Sequence, residues 1–404
     1  MTNHLPFSLK AFDLPLINNF SRQLLNAKQK KIALVVQGGG QRGIFTAGVF
    51  DAFLENNFDP FELYIGTSAG ALNLSSFISR QPRFGYEFIV NYTTDNEFFN
   101  LYKYLSQQKS MNLDWALEEV RPHGAIPLDV SRARSVLKNR MALACATRKD
   151  TLQDIYMPMY EENWCEVLRA SCAIPVIYNL PVNINDLEWV DGGVSAAVPV
   201  KEAWQRGADL VIVVRTEPVS LPGSEGSRFE DWRSKVETAL PEYIERLSLN
   251  QSLDRVKSLH GELTTKFESW KSNWRDKEIL SQQGQAGSEN IPLSQAKGRG
   301  WNLLTAENIE RFLALTGNNK RLEVIDMLNR YYTTYQDAHE FMLTPPDGLQ
   351  VIQISPEKGL KSRALLSSKD DLEVDYREGK LIGREFVSHF AEILNETSAV
   401  KRNG

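Results

Sequence analysis

A serine at position 68 stands in the stretch YIGTSAGALN, residues 64–73, with Gly66 and Gly70 two places to either side. The tyrosine and isoleucine before it predict the end of a strand, and the alanine and leucine after it predict the start of a helix. A serine on such a sharp strand-to-helix turn is typical of a nucleophile. Glycines are expected on both sides because the turn is strained and a Cβ there would clash.

A second glycine-rich stretch, GGGQRG at residues 38–43, also joins a predicted strand to a predicted helix. Alone it matches a dinucleotide-binding pattern, but that pattern needs an acidic residue after the next strand, where this chain has GTSAG instead. The alternative is an oxyanion hole, in which the N–H groups of Gly39 and Gly40 point at one spot beside a helix N-terminus. Arg42 would support this loop or bind an anionic headgroup, unless it is an ordinary surface arginine.

A nucleophilic serine needs a base, and histidine is the usual one. None of the five histidines stands in a short apolar or glycine-rich setting that would indicate a catalytic loop. A triad in the chain order Ser–Asp–His stays open, since a triad is recognised by its geometry. It would use one of three histidines: His260, His339 or His389.

Asp191 in LEWVDGGVSAAVPV is the favoured base. An apolar run leads directly into the aspartate, and Gly192 and Gly193 then turn the chain away. The competing interpretation is a turn aspartate, because Asp-Gly is a common turn sequence. The position between two apolar runs favours the catalytic interpretation.

Composition narrows the class of protein. The chain has 404 residues, of which 42% are hydrophobic and 24% charged, as in ordinary globular proteins. A net charge of −5 argues against a nucleic-acid partner. Three unpatterned cysteines predict free thiols and no structural zinc. The N-terminus does not resemble a signal peptide, and no apolar window is long enough to span a bilayer, so we expect a cytoplasmic protein, with peripheral membrane contact left open.

Strands alternate with helices along the first half of the chain, which predicts an α/β sandwich with a mainly parallel sheet. We expect an extension over 1–27, a core over 28–220 and a helical insert over 221–347 with a flexible loop at 281–300. The remaining residues, 348–404, predict a strand and a helix that return to the core, because a single isolated strand is not stable.

The helical insert carries a stretch with aromatic and basic residues, 262–280, in which Phe267, Trp270 and Trp274 have helical spacing. Such a helix suits the bilayer interface. Packing of the aromatic side chains on the protein core is the commoner alternative, and four acidic residues in the same stretch favour it.

Together, GGGQRG, GTSAG and DGG resemble the patatin-like phospholipase family in their order and spacing, over about residues 30–220. RASCAIPVIYNLP, before the aspartate, resembles the same family, and the late PPDGLQVIQISP segment resembles a bacterial subgroup. DGG stands where plant members have DGA, and the helical insert exceeds what the core family needs. The resemblance implies a three-layer α/β/α sandwich with a helical C-terminal region.

By this resemblance, Ser68 is the nucleophile and Asp191 the base, in a dyad without histidine, metal or cofactor. The implied oxyanion loop consists of five residues: Gly38, Gly39, Gly40, Arg42 and Gly43. The implied activity is hydrolysis of a lipid or small acyl ester. Acyl transfer or thioester hydrolysis by the same dyad, and lipid binding without catalysis, are the alternatives.

Overall fold

The structure is a computed structural model, and it describes residues 4–7, 31–99, 111–175, 177–178, 181–219 and 318–402. Almost all of these residues belong to one compact unit formed by residues 1–219 and 322–404. The aromatic stretch 262–280 and the loop 281–300 lie outside the described residues, so the two interpretations of that stretch stay predictions.

The described strands form one sheet in the order β1-β9-β8-β2-β3-β4-β7-β6, with β5 paired to β4. Their bounds are β1 His4–Phe7, β2 Ile32–Val36, β3 Leu63–Thr67, β4 Met141–Arg148, β5 Gln153–Pro158, β6 Val182–Ile184, β7 Leu187–Asp191, β8 Leu210–Val214 and β9 Gln350–Ile354. The pairs from β1 to β4 along this order are parallel, and β5, β6 and β7 join in antiparallel fashion. The central strands β2 and β8 are apolar and buried along their whole length, as expected for a parallel sheet covered on both faces.

Helices flank this sheet. The described helices are α1 Gly43–Glu55, α2 Ala69–Ile78, α3 Phe84–Glu87, α4 Leu113–Glu118, α5 Val130–Leu137, α6 Trp164–Cys172, α7 Gly193–Ala196, α8 Val200–Gln205, α9 Asn318–Leu343 and α10 Lys369–Arg402. A π-helical turn over Phe88–Thr93 follows α3, and a 3₁₀ turn over Gly40–Arg42 precedes α1. In the described ranges, no helix is long and apolar enough to cross a membrane.

The predicted fold class, an α/β/α sandwich with a mainly parallel sheet and a helical C-terminal region, is confirmed. The late strand, β9, pairs with β8 in the central sheet. The segment 1–27 was expected to be an extension, yet its residues His4–Phe7 form strand β1 beside β9. Four residues without a polar-apolar period carry no strand signal, because their pairing comes from a partner strand distant in sequence.

A cluster of phenylalanines fills the space between α1, α2 and α10. Phe53 of α1 has its ring centroid 6.1 Å from that of Phe77 of α2 and 5.9 Å from that of Phe386 of α10. Phe386 in turn stacks on Phe390 at 4.9 Å. Rings at these distances and tilts attract each other beyond their apolar burial, so the cluster joins the C-terminal helix to the first half of the chain.

Glycines let α10 lie directly on α1. A Cβ on Gly379 of α10 would meet the carbonyl oxygen of Phe45 in α1, and a Cβ on Gly48 of α1 would meet the carbonyl oxygen of Tyr376. Both contacts are with backbone atoms, which cannot rotate away. The two helices therefore pack backbone to backbone at this crossing.

We expect Gly379→Ala to destabilise the protein by about 2 kcal/mol, as overpacking of a tight contact does. The change occurs within a helix, where alanine alone would add up to about 1 kcal/mol of stability, so a net loss reports the steric clash. The measurement is the free energy of unfolding in urea. Leu381→Ala, at a half-exposed site on the same helix, should change that free energy by less than about 0.5 kcal/mol. Equal values for both variants would contradict the close crossing.

Candidate active site

The parallel strands place three chain segments at one edge of the sheet. Strands β2, β3 and β8 run side by side and end in register, with Val36 paired to both Gly66 and Val214. The segments that leave these strand ends are the glycine loop, residues 38–43, the turn at Ser68 and the stretch Arg215–Glu217. Carboxyl ends of parallel strands are where α/β proteins bind ligands.

The length of β4 brings Asp191 to the same place. One edge of β4 pairs with β3 up to Cys145, opposite Thr67. The opposite edge of β4 is occupied by β5. Strand β7 therefore pairs with the part of β4 that extends beyond β3, on the same edge as β3, and there Ala146 pairs with Asp191. The end of β7 therefore meets the end of β3, and Asp191 arrives beside Ser68, which follows Thr67 directly.

Ser68 occupies a strained turn. Its φ is 54° and its ψ −127°, in the left-handed half of conformational space that residues with a side chain rarely adopt. A Cβ on Gly66 would lie 2.7 Å from the Ala71 nitrogen, and one on Gly70 would lie 2.6 Å from the Val36 oxygen. Such strain costs about 1–3 kcal/mol and persists only where surrounding contacts impose it. The flanking glycines are thus sterically required.

Ser171 on α6 holds this turn. The Ser68 N–H donates to Ser171 Oγ at 2.9 Å, and the Ser171 hydroxyl donates to the Cys145 carbonyl at 2.6 Å. The hydroxyl thus connects the turn after β3 to strand β4 and to α6. Sequence analysis assigned no role to Ser171, since a serine in a helix carries no signal of a distant backbone partner.

The Asp191 carboxylate is buried and only partly hydrogen-bonded. Its Oδ1 accepts the Gly193 N–H at 2.6 Å, while its buried Oδ2 has no partner with full hydrogen-bond geometry. The Ser68 side chain is nonetheless close enough to stabilise the carboxylate. Gly192 must be a glycine because a Cβ there would strike the Cys145 carbonyl oxygen. Catalytic hydrogen bonds are often loose without substrate and tighten in the complex.

Burial raises the pKa of Asp191 to about 7, although hydrogen bonds from Ser68 and the Gly193 N–H lower it. Removal from water disfavours the charged form of a carboxyl group. Burial likewise raises the pKa of the Cys172 thiol well above its ordinary value, and the charge of Asp191 adds to the shift. Cys172 is therefore a neutral thiol next to the serine.

The glycine loop leaves two N–H groups available. The Gly38 N–H donates to the Ala197 carbonyl, and the Gln41 N–H donates to the Ala364 carbonyl. The Gly43 N–H donates within the loop, to the Gly40 carbonyl among others. In the described part of the chain, the N–H groups of Gly39 and Gly40 have no acceptor. A Cβ on Gly38 would lie 3.2 Å from the Ser68 Cβ, so the loop lies against the serine. Gly40, with φ +57°, faces the same pocket as Ser68.

Arg42 is buried, so it is not the surface arginine that one interpretation allowed. Its guanidinium donates to Glu217 Oε1 at 2.6 Å, and the Tyr335 hydroxyl of α9 donates to Glu217 Oε2 at 2.7 Å. Burial alone would raise the pKa of Glu217, but the charges of Arg42 and Arg215 and these hydrogen bonds lower it. Glu217 is therefore a buried anion, and its ion pair with Arg42 supports the glycine loop.

Thr216 completes the support. Its hydroxyl donates to the Gly38 carbonyl at 3.1 Å, and its N–H donates to Gln37 Oε1 at 3.1 Å. A Cβ on Gly39 would lie 2.7 Å from the Thr216 Oγ1, so Gly39 cannot carry a side chain here. Thr216 and Glu217 carry no sequence signal of these roles, because their partners Gly38 and Arg42 lie about 175 residues earlier in the chain.

An apolar pocket leads to Ser68. The empty space in this pocket, with the open solvent at its entrance included, is about 600 Å³. Most of its walls come from the region between α2 and α4 and are hydrophobic. The apolar lining side chains are Ala69, Leu72, Phe84, Phe88, Ile89, Phe98, Met111, Leu113, Ile174, Ala364 and Leu365. Walls of this apolar character suit a hydrocarbon chain.

The histidines within the described ranges lie elsewhere, and His4 belongs to β1, an edge strand of the sheet. His123 is exposed in a turn after α4, His339 is buried in α9 and His389 lies on α10 with its Nδ1 2.7 Å from the Glu385 carbonyl. None of these three lines the pocket with Ser68. His260 falls outside the described residues. All three cysteines are buried free thiols, and the described residues contain no group of three or more His, Cys, Asp or Glu that could hold a metal ion.

We expect Arg42→Met to destabilise the protein by about 3–5 kcal/mol, because it leaves the buried Glu217 carboxylate without its main partner. Arg148→Met is the matched control, since it removes a solvent-exposed ion pair with Asp150 and should cost less than about 1 kcal/mol. Unfolding in urea at pH 7 measures both. A small, equal loss in the two variants would contradict the buried ion pair as a support of the loop.

The chain is similar to known proteins over most of its length. The model of the patatin-like phospholipase family matches residues 34–204, and a domain of unknown function, DUF6363, matches residues 322–395. The uncharacterised protein YjjU of Escherichia coli strain K12 is 31% identical over 373 residues, which are 92% of this chain and 82% of that protein.

The crystal structure of VipD from Legionella pneumophila overlaps 52% of this chain and 54% of that chain, at 14% identity and a TM-score of 0.31. That similarity is too low to carry an argument. The family model spans β2 to α8 and thus includes the glycine loop, the Ser68 turn and Asp191. This match and the extent of the similarity to YjjU lead to one conclusion: the chain belongs to the patatin-like phospholipase family.

Proposed function

We propose that this protein hydrolyses fatty-acyl esters of lipids, with Ser68 as the nucleophile and Asp191 as the base. Family membership supports lipid acyl-ester hydrolysis in general. The observation that supports the finer proposal is the buried Asp191 carboxylate, which lies beside a serine on a strained turn at an apolar pocket.

The first half of the reaction acylates the serine. The Ser68 oxygen attacks the ester carbonyl carbon while its proton passes to Asp191. The negative charge that develops on the carbonyl oxygen is stabilised by the N–H groups of Gly39 and Gly40, which have no acceptor within the described chain. Asp191 then returns the proton to the leaving alcohol, and the acyl group stays on Ser68.

The second half releases the fatty acid. A water molecule attacks the acyl carbonyl and gives its proton to Asp191, and the same two N–H groups stabilise the new oxyanion. When the tetrahedral intermediate collapses, the proton returns to the Ser68 oxygen and the carboxylic acid leaves. Every proton is thus accounted for by the serine, the aspartate, the alcohol and water.

Burial makes Asp191 a suitable base. An unperturbed aspartate has a pKa of about 3.9 and is a weak acceptor for a serine proton. The raised pKa of about 7 brings Asp191 close to neutral pH, where a general base combines useful basicity with a large ionised fraction. The apolar pocket beside Ser68 favours a long acyl chain, since each methylene group transferred from water contributes about 0.8 kcal/mol.

The proposal places the substrate in a lipid phase and the enzyme in the cytoplasm, and it leaves open a peripheral contact with the inner face of a membrane. A contact through the stretch 262–280 stays a prediction from sequence.

Loss of either dyad residue should abolish hydrolysis. Ser68→Ala and Asp191→Asn are each expected to lower kcat/KM on a medium-chain p-nitrophenyl ester by about a thousand-fold or more, because nucleophile and base act as one unit. Asp186→Asn is the matched control, since Asp186 is an exposed aspartate in the turn before β7 and its loss should leave activity unchanged. If Asp191→Asn keeps most of the activity, Asp191 is not the base.

The rate should depend on the ionisation of Asp191. Because the carboxylate form accepts the proton and its pKa is about 7, kcat/KM should fall about tenfold per pH unit below pH 6 and level off above pH 8. Initial rates at constant ionic strength from pH 5 to 9 test this, with circular dichroism at each pH as the control for folding. A flat profile down to pH 5 would rule out an aspartate with a raised pKa as the base.

A further inference from the structure

The segment between β9 and α10, residues 355–368, reaches the glycine loop. The Gln41 N–H donates to the Ala364 carbonyl at 2.8 Å, and the Ser367 N–H donates to Gln41 Oε1 at 2.8 Å. A Cβ on Gly40 would strike the same Ala364 carbonyl oxygen. This C-terminal segment is therefore attached to the loop whose Gly40 and Gln41 line the pocket.

The segment is also held by hydrogen bonds to residues that follow it. The buried carboxylate of Asp375 on α10 accepts the N–H groups of Lys361 and Ser362, at 3.1 and 2.6 Å. The Ser367 hydroxyl accepts the Arg363 N–H at 2.8 Å and donates to the Arg363 carbonyl. A backbone fixed at both ends in this way gives its side chains defined directions.

Two neighbouring leucines point in opposite directions. Leu365 lines the pocket together with Ala364, whereas Leu366 is 57% exposed. Leu366 has a φ of +58°, and this left-handed residue turns the chain so that its own side chain faces solvent. Leu365 therefore lines the pocket. Leu366, the adjacent residue of the same type, lies outside it.

The remaining lining residues of the pocket belong to residues 40–174, within the match to the patatin-like model. Ala364 and Leu365 come instead from the match to the domain of unknown function, residues 322–395. The C-terminal segment thus contributes a wall that the catalytic part of the chain does not supply.

We propose that Leu365 determines the length of the acyl chain that the pocket accepts, and that a function of the C-terminal segment is to complete this pocket. The inference rests on the proposed acyl-ester hydrolysis. Leu365 is a partly buried apolar side chain on a fixed loop, so a larger residue shortens the space for the chain and a smaller one lengthens it. One methylene group more or less in an apolar pocket changes discrimination by about 10–200-fold.

The test compares p-nitrophenyl butyrate with p-nitrophenyl dodecanoate in Leu365→Trp and Leu365→Ala. The kcat/KM ratio of dodecanoate to butyrate should fall at least tenfold in Leu365→Trp and rise in Leu365→Ala. Leu366→Trp and Leu366→Ala are the controls and should keep the wild-type ratio. A loss of active protein lowers the rates on both esters equally. A substitution that only disturbs the fold would therefore leave the dodecanoate-to-butyrate ratio unchanged. An unchanged ratio in both Leu365 variants overturns the inference.

A binding measurement separates this inference from the proposed function. In the Ser68→Ala background at pH 6, calorimetric titration with decanoate should give at least tenfold weaker binding when Leu365→Trp is added and unchanged binding when Leu366→Trp is added. If the wild-type protein hydrolyses no ester but this binding pattern is found, the proposed function is wrong. The inference that Leu365 forms part of the acyl-chain pocket is then still supported. Equal affinities for decanoate in the Leu365→Trp and Leu366→Trp proteins overturn the inference about Leu365, whether or not the wild-type protein is active.

Discussion

The burial of one carboxylate, that of Asp191, is the constraint on which the site depends. Removal from water raises its pKa to about 7, and one of its oxygens has no partner of full hydrogen-bond geometry. A buried polar atom without a full hydrogen bond destabilises the folded state, so other contacts must hold it in place. Here the surroundings are the paired strands β4 and β7, the Gly193 N–H and the turn at Ser68, and together they hold a basic oxygen beside a hydroxyl.

Sheet register performs this positioning. The extra length of β4 beyond β3 makes room for β7 on the same edge, so the two strand ends meet without any long loop. The strained Ser68 backbone is tolerated because Ser171, the glycines on either side and the buried sheet leave no alternative path. Strand pairing thus sets the distance between Ser68 and Asp191, and close backbone contacts set their orientation.

The C-terminal segment belongs to the same structural unit as the catalytic part. Tyr335 of α9 hydrogen-bonds the Glu217 that pairs with Arg42, Ala364 accepts a hydrogen bond from the glycine loop, and α10 packs backbone to backbone on α1. These contacts support the helix and loop that follow β2. Two matched regions that are separate in sequence therefore share one core and one pocket.

The sequence alone determined the local features: the glycine motifs around Ser68 and at 38–43, and Asp191 at the end of an apolar run. Each depends on neighbours within a few residues, such as a turn that excludes a Cβ or an unbroken apolar strand. Only the tertiary structure decided that His4–Phe7 is a strand, that Arg42 is buried against Glu217, that Ser171 holds the Ser68 turn and that Leu365, not Leu366, faces the pocket. Those outcomes depend on partners up to several hundred residues away, and a local pattern of polar and apolar side chains carries no information about which distant backbone or carboxylate a residue will meet.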